Sequence, residues 1–376
     1  MYTSLPFFLV LLSFIISLLL VIAASAWFTR RLEAICDLLG LPIGVLSMLG
    51  ALGANIPNYA ASIVAIAGGH QDVGLGIIIG SNIYNVAIIL GVSTLATSEG
   101  SGIILRLKEV QDVRIVGGYA LVIVLTIMLG MWLLPGTPLE IGLHGTTFGS
   151  LLVIAATILA LAIFGALVLH VFKRPHPGHT YPPDRVPQES PPGQPQGLHT
   201  VPQTASPPYS SALAPTLPPL SNARPYKRSL LRWIGEALLV LLIALGGVVV
   251  LVQSGQELTL ALHMPQVLAG LLVLAVATSL PNTVVAVSLV RTGRAAACVE
   301  EVFSSNSINA ALGIALPLLI WHQLLNDHLL LILDAPLMVV LTLGALLAVL
   351  TGRLQRQLGV LLLLVYAIWV IVHVWL

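Results

Sequence analysis

The sequence predicts an all-α integral membrane protein, in which ten transmembrane helices form two five-helix repeats of inverted topology. Three observations lead to this fold class: the overall composition, ten long apolar runs in two sets of five, and a polar motif that recurs once in each set. Hydrophobic residues make up 57% of the chain and charged residues only 8%. Soluble domains carry about 25% charge, so a soluble core could not hide this much apolar surface.

The apolar runs reach about 20 residues, which is enough to cross a hydrocarbon core of roughly 30 Å as a helix. They lack the alternating pattern of a membrane β-barrel. The predicted spans are 5–28, 41–68, 73–97, 115–134, 149–172, 231–253, 265–291, 297–320, 329–350 and 357–376. The first five spans define a repeat over residues 1–172, and the last five define a second repeat over residues 231–376.

Residues 173–230 separate the two repeats and are rich in proline, serine, glycine and glutamine. Such a composition cannot bury enough apolar area to fold. We therefore predict a disordered linker. A polyproline ligand for a partner domain is the weaker alternative.

Basic residues set the predicted orientation, because Lys and Arg near helix ends stay on the cytoplasmic side. With the N-terminus outside, all 16 Lys and Arg residues fall in cytoplasmic segments. The opposite loops, around residues 70, 135–147, 253–263 and 321–328, contain none. We expect a multi-pass protein of the plasma (inner) membrane, with a cytoplasmic central loop and both termini outside.

An internal repeat appears when Asn58 is aligned with Asn282, an offset of 224 residues. The alignment needs no gap over the next span and matches these residues: Pro57 with Pro281, Gly69 with Gly293, Ser81 with Ser305, Asn82 with Asn306, and Asn85 with Asn309. Because five spans separate the copies, they enter the membrane from opposite sides. Inverted repeats of this kind are typical of secondary transporters, whose sites lie near the bilayer midplane.

Each proline lies in a short polar cluster within an apolar span. Pro57 and Pro281 lack an N–H and leave carbonyl groups near residues 53 and 277 without their helical partners. In lipid those carbonyls need an ion, a water or a hydroxyl. The same level carries the oxygens of Asn55, Asn58, Thr278, Ser279 and Asn282.

On the following helices, Ser81 and Asn85 share one face, as do Ser305 and Asn309, because residues four apart are neighbours on a helix. Four polar helix faces could therefore meet at one ion site. Small and polar residues also serve plain helix packing in membranes. Two matched clusters beside prolines favour the ion site.

These motifs resemble those of a known family. Residues 80–85 read GSNIYN, with ANIPN before them and Gly91 after them, and this pattern is similar to the first alpha repeat of the sodium/calcium exchanger family, in the calcium/cation antiporter superfamily. The second copy keeps TSLPN and SNSIN, with Ser304 in place of a glycine. The resemblance implies that helices two, three, seven and eight surround the ions. It implies six of the ligands: Ser81, Asn85, Thr278, Ser279, Ser305 and Asn309.

The chain departs from that family where the pattern after each proline is normally acidic, because Asn58 and Asn282 stand there. The usual Thr-Ser before the first proline is Ala54-Asn55. Calcium takes six to eight oxygens and usually several carboxylates, so neutral amides predict weak calcium binding. A monovalent ion, another cation or a loss of transport all stay open. Glu301 is one possible replacement acid, since it lies one turn before Ser305, although a carboxylate at headgroup level is the alternative.

We therefore predict a secondary cation antiporter of the sodium/calcium exchanger type with altered ion selectivity. A non-transporting scaffold or sensor with the same fold is the alternative. No pattern of an intramembrane enzyme is present, since neither paired aspartates nor a nucleophile with a base occurs in the spans. The expected partners are the lipid bilayer and inorganic cations such as sodium or calcium, with no cofactor and no nucleic acid.

Overall fold

The computed structural model describes residues 6–39, 48, 51–97, 102–132, 147–173, 223–291, 293–321 and 327–375, and within them it contains ten helices and one short two-stranded sheet. The first five helices are α1 (Phe7–Leu39), α2 (Ile56–Ala67), α3 (residues 71–95), α4 (Leu107–Trp132) and α5 (Thr147–Lys173). The last five are α6 (Ala223–Ala261), α7 (residues 266–291), α8 (residues 295–320), α9 (residues 330–350) and α10 (Arg356–Trp375).

The predicted all-α membrane fold is confirmed. Among the described residues, eight helices are long and apolar enough to cross a membrane, and α7 is a ninth if its two bent halves form one span. The tenth, α2, belongs to the predicted span 41–68, of which residues 41–47, 49 and 50 lie outside the described part of the chain.

Several helices extend beyond the predicted spans. Helix α1 continues to Leu39, α4 begins at Leu107, and α6 covers Ala223–Ala261. Hydropathy detects only the part of a helix that is apolar, whereas backbone hydrogen bonding continues past it. Helix α6 thus begins inside the segment predicted as a linker, and residues 174–222 of that segment lie outside the described residues.

The helices divide into an inner and an outer group. In the most apolar stretch of α3, 94% of the residues are buried, and in α8 the share is 72%. The corresponding share is only 22% in α10 and in α5. Exposed leucines on the outer helices, such as Leu19 and Leu242, give the bundle the apolar exterior that lipid requires.

In each repeat, a turn of the same conformation connects the two inner helices. Gly69 ends the turn between α2 and α3 with φ 84°, and Gly293 does the same between α7 and α8 with φ 76°. Side chains other than glycine rarely adopt this left-handed conformation. The backbone N–H of His70 bonds the oxygen of Ala65 at 2.9 Å, and the N–H of Arg294 bonds that of Leu289 at 2.8 Å. The repeat found in sequence is therefore also a repeat of backbone structure.

A short antiparallel sheet connects two loops at one end of the bundle. Strand β1 (Ile103–Ile104) precedes α4, and strand β2 (Arg353–Leu354) lies between α9 and α10. Ile103 pairs with Leu354, and Ile104 pairs with Arg353. The loops that contain Arg106 and Arg353 are therefore on the same side of the bundle, as the charge distribution requires.

Candidate cation site

Both prolines interrupt their helices at matching points. Asn55 stands just before α2 with non-helical backbone angles (φ −93°, ψ 1°), and Pro57 is the second residue of that helix. In α7, the halves Ala269–Leu280 and Asn282–Arg291 meet at 49° around Pro281. Since proline cannot donate to the carbonyl four residues earlier, the ladder of backbone hydrogen bonds is broken at both points.

Asn55 is the centre of a hydrogen-bond network that joins three helices. Its Nδ2 donates to the backbone oxygen of Ala51 and to Ser305 Oγ, both at 2.8 Å. Its Oδ1 accepts from Asn58 Nδ2 at 3.3 Å and from Asn282 Nδ2 at 2.9 Å. The amide thus uses both donors and both lone pairs of its side chain.

The residues that depart from the family pattern therefore contact one another. Asn58 and Asn282 occupy equivalent positions in the two repeats, and both donate to the same oxygen of Asn55. A carboxylate at either position could not donate that hydrogen bond. The three asparagines form a self-consistent set, which sequence alone did not show.

A second network, with approximate two-fold symmetry, joins α3 to α8. Asn85 Nδ2 donates to Asn306 Oδ1 at 2.9 Å, and Asn309 Nδ2 donates to Asn82 Oδ1 at 3.2 Å. Asn82 and Asn306 also exchange hydrogen bonds between side chain and backbone. The sequence repeat contained Asn82 and Asn306, but our predicted site residues did not include them.

The two helices change their backbone geometry at this network. A π-helical segment begins at Asn85 and covers Asn85–Leu90, and another begins at Asn309 and covers Asn309–Ala315. Single π-helical turns within α-helices occur frequently at functional sites. Their appearance at matched positions indicates that both repeats build the site in the same way.

Six predicted ligand atoms are oxygens that are buried and accept or donate no hydrogen bond. All six belong to fully buried residues, which lie on α2, α3, α7 and α8. They are Asn58 Oδ1, Ser81 Oγ, Asn85 Oδ1, Ser279 Oγ, Asn282 Oδ1 and Asn309 Oδ1. Buried polar atoms are normally hydrogen-bonded, so each of these oxygens has lone pairs free to accept a further partner.

The other predicted ligands have partners. Thr278 Oγ1 donates to the backbone oxygen of Leu274 at 2.7 Å, within its own helix. Ser305 Oγ accepts from Asn55 and donates to Glu301 Oε1 at 2.9 Å. Glu301 is therefore connected to the site through one hydroxyl group.

Close backbone packing fixes α3 against α7. A Cβ atom at Gly80 would collide with the backbone oxygen of Leu271, and one at Gly76 would lie 3.2 Å from the oxygen of Val267. The glycine of the GSN motif is thus needed for helix contact. In the second repeat, the matching positions are Ser304 and Glu300, which line a small cleft with Met48.

A charged cluster that sequence reasoning missed lies on α9 and α10. Asp334 Oδ1 accepts from Trp369 Nε1 at 2.7 Å and lies 3.1 Å from His373 Nε2, and all three side chains are buried. The three residues are far apart in sequence and share no motif. Across the described residues, no group of three His, Cys, Asp or Glu side chains could hold a metal ion.

The comparison with known proteins agrees with this architecture. The family model described as "Sodium/calcium exchanger protein" matches residues 9–173 and 233–375, which correspond to the two repeats. Because the match covers most of the sequence, the chain belongs to the sodium/calcium exchanger family.

Similar relatives match in short stretches. Sodium/calcium exchanger MaX1 of Methanosarcina acetivorans is 35% identical over 89 residues, which is 23% of this chain and 25% of that protein. Putative antiporter CaxA of Alkalimonas amylolytica is 49% identical over 45 residues, which is 12% of this chain and 14% of the relative. The matched stretches thus span a quarter or less of these relatives.

Solved structures share the fold over nearly the whole length. A structure of the sodium-calcium exchanger NCX_Mj has a TM-score of 0.58 at 18% identity and covers 97% of this chain and 99% of its own. A structure of native YfkE has a TM-score of 0.64 at 14% identity, with 96% of this chain and 92% of its own covered.

Proposed function

We propose that this protein is a secondary cation antiporter, which works by alternating access of the two repeats around one site between α2, α3, α7 and α8. The observation that carries the proposal is the set of six buried oxygens without hydrogen bonds. Leaving such atoms unpaired in a low-dielectric interior costs free energy. A bound cation would remove that cost.

The ligands in this proposal come in matched pairs. Asn58 is matched with Asn282, and Asn85 with Asn309, while Ser81 is matched with Ser305, and Ser279 with Asn55. Thr278 and Ser305 contribute hydroxyl oxygens, and Asn55 orients its neighbours through four hydrogen bonds. Inverted repeats present equivalent ligands to the two sides of the membrane, as alternating access requires.

The site is expected to favour a cation other than calcium. Amide oxygens are good ligands but supply no charge, and a divalent ion among dipoles alone keeps most of its charge uncompensated. The hydrogen bonds that Asn58 and Asn282 both donate to Asn55 Oδ1 support this expectation, because an ionised carboxylate at either position could not donate them.

The orientation in this proposal follows from the basic residues. The linker between the repeats is cytoplasmic, both termini lie outside, and the membrane is the plasma (inner) membrane. The pairing of β1 with β2, which brings the loops of Arg106 and Arg353 to one side, supports this arrangement.

A non-transporting scaffold or sensor is the second candidate. It is favoured by one observation: the amides of Asn55, Asn58 and Asn282 already hydrogen-bond one another across the two repeats. Such a network could hold the repeats together without an ion.

Flux in proteoliposomes separates the two candidates. The purified full chain would be screened with gradients of sodium, potassium, protons, calcium, magnesium and manganese. The proposal predicts counterflow of at least one cation that is driven by the gradient of another. Equal leakage in liposomes with and without protein, for every ion, would instead support the scaffold.

A further inference from the structure

One carboxylate is hydrogen-bonded to a residue of the candidate cation site. Glu301 lies on α8 one turn before Ser305, and its Oε1 accepts a hydrogen bond from Ser305 Oγ at 2.9 Å. Ser305 Oγ in turn accepts from Asn55 Nδ2 at 2.8 Å. A single hydroxyl group thus separates the acid from the centre of the asparagine network.

The second carboxylate oxygen of Glu301 has no partner. Oε2 is shielded from solvent and accepts no hydrogen bond, although the side chain as a whole is only partly buried. Among the described residues, no Lys, Arg or His forms an ion pair with Glu301. An unpaired carboxylate inside a membrane bundle is costly, and such groups normally face a partner or an ion pathway.

Two other buried or half-buried acids of the bundle already have hydrogen-bond or ion-pair partners. Glu236 forms ion pairs at 2.8 Å with Arg31 and with Arg232. Asp334 contacts His373 and Trp369 on the outer helices α9 and α10. Neither acid is hydrogen-bonded to a residue of the candidate site, so Glu301 differs from both.

The charge occurs in one repeat only. The residue that matches Glu301 at the offset of 224 is Ile77, which is fully buried and apolar. The two-fold related half therefore supplies neutral ligands. A single carboxylate at a site whose other ligands are neutral amides and hydroxyls balances one unit of positive charge, whereas a divalent ion would keep an excess charge in a low-dielectric interior.

We propose that Glu301 is the charged ligand of the site and that it makes the site selective for a monovalent alkali cation, such as sodium or potassium. Oε2 of Glu301 and Oγ of Ser305 contact the ion, and Asn55 holds Ser305 in place. This inference rests on the proposed antiporter function, because it assigns the charge and the ion class of that same site.

The experiment measures binding of radioactive sodium and of rubidium, as a potassium analogue, to the purified full chain at constant pH. The test variant is Glu301→Gln, which keeps an oxygen that can accept from Ser305 but removes the charge. The matched control is Glu300→Gln, which removes the same charge from the neighbouring residue on α8. Size-exclusion profiles and thermal unfolding would confirm that both variants are folded.

Glu301→Gln should weaken binding of the monovalent ion by about 10- to 100-fold, because an interaction with a charged ligand is lost. Glu300→Gln should stay within about threefold of the wild type, a change below the effect of one hydrogen bond. If Glu301→Gln does not fold, Glu301→Asp replaces it, and retention of binding in that variant would support a role for the charge.

Three results would overturn the inference. Binding and flux at wild-type level in Glu301→Gln would show that the charge is not used, while leaving the antiporter function intact. Tighter binding of calcium than of sodium in the wild type would contradict the assigned ion class. A wild type that neither binds nor transports any cation would refute the proposed function itself, and this inference with it.

Discussion

Asn82 and Asn306 exchange hydrogen bonds across the two repeats: the side-chain Nδ2 of each donates to the backbone oxygen of the other at 3.3 Å. Both side chains are fully buried. The pair connects α3 to α8 directly, at the level where both helices become π-helical. A relative movement of α3 and α8 would therefore break both hydrogen bonds or keep both.

Loss of one member of the pair should destabilise the protein. We expect Asn82→Ala and Asn306→Ala each to cost about 1–3 kcal/mol, because each leaves buried partners unpaired. The double variant should cost less than the sum, as expected for residues in contact. Thermal unfolding in detergent measures this, with Ser307→Ala as control, since Ser307 donates only to Phe303 within its own helix. Additive losses would mean that the two asparagines act independently.

The contact between α3 and α7 gives a second prediction. Gly80→Ala places a methyl group against the backbone oxygen of Leu271 and should destabilise the protein by about 1–3 kcal/mol through overpacking. Gly118→Ala is the matched control, because no atom beyond the adjacent backbone of its own helix lies within 4 Å of the Cβ position. In that variant stability should be unchanged or slightly higher. Equal stability of the two variants would show that the contact between α3 and α7 accommodates the added methyl group without cost.

The missing acids give a third prediction. Asn58→Glu combined with Asn282→Glu should strengthen calcium binding about tenfold or more, since two carboxylates compensate the charge of a divalent ion. The same change removes both donors to Asn55 Oδ1, so the ion-free variant should unfold at a lower temperature.

Calorimetric titration of calcium measures the effect, and Asn58→Gln combined with Asn282→Gln is the control of equal size without charge. Single glutamate variants should show a smaller gain. If the wild type binds calcium tightly and the double variant shows no gain, these two positions do not line the site.

Topology gives a fourth prediction. With both native cysteines replaced by serine, a cysteine at Ser206 should react with an impermeant reagent only from the cytoplasmic side, because all basic residues flank that side. A cysteine at His263, in the exposed turn between α6 and α7, should react only from outside. Labelling of Ser206 from outside would contradict the predicted orientation, and labelling of both cysteines from the same side would contradict an odd number of spans between them.

The fold could be predicted from sequence because its signals are local or periodic. Apolar runs gave the spans, and the offset of 224 residues placed Gly69 over Gly293, which indeed have the same left-handed backbone conformation. Helix ends were less accurate, as α1 and α6 show, because hydropathy reports contact with lipid rather than hydrogen bonding.

The candidate site was predictable only in part. Matched polar residues could be recognised on α2, α3, α7 and α8, but the choice of partners depends on how the helices cross. Sequence therefore did not reveal that Asn55 joins Asn58 to Asn282, or that Glu301 reaches the network through Ser305. The cluster of Asp334 and His373 was missed for the same reason.

The most direct test of the central claim is cation counterflow in proteoliposomes containing Asn85→Ala or Asn309→Ala, compared with Ser62→Ala. Each asparagine variant removes one buried Oδ1 that accepts no hydrogen bond, together with one hydrogen bond donated to the facing helix. Ser62→Ala is the control because it also removes a buried hydrogen bond between helices, to the backbone oxygen of Gly313 at 2.7 Å, but no unpaired oxygen. If the unpaired oxygens bind the transported ion, both asparagine variants should lose flux while Ser62→Ala keeps most of it. Flux at the wild-type level in both asparagine variants would show that the matched polar clusters serve helix packing and do not form a cation site.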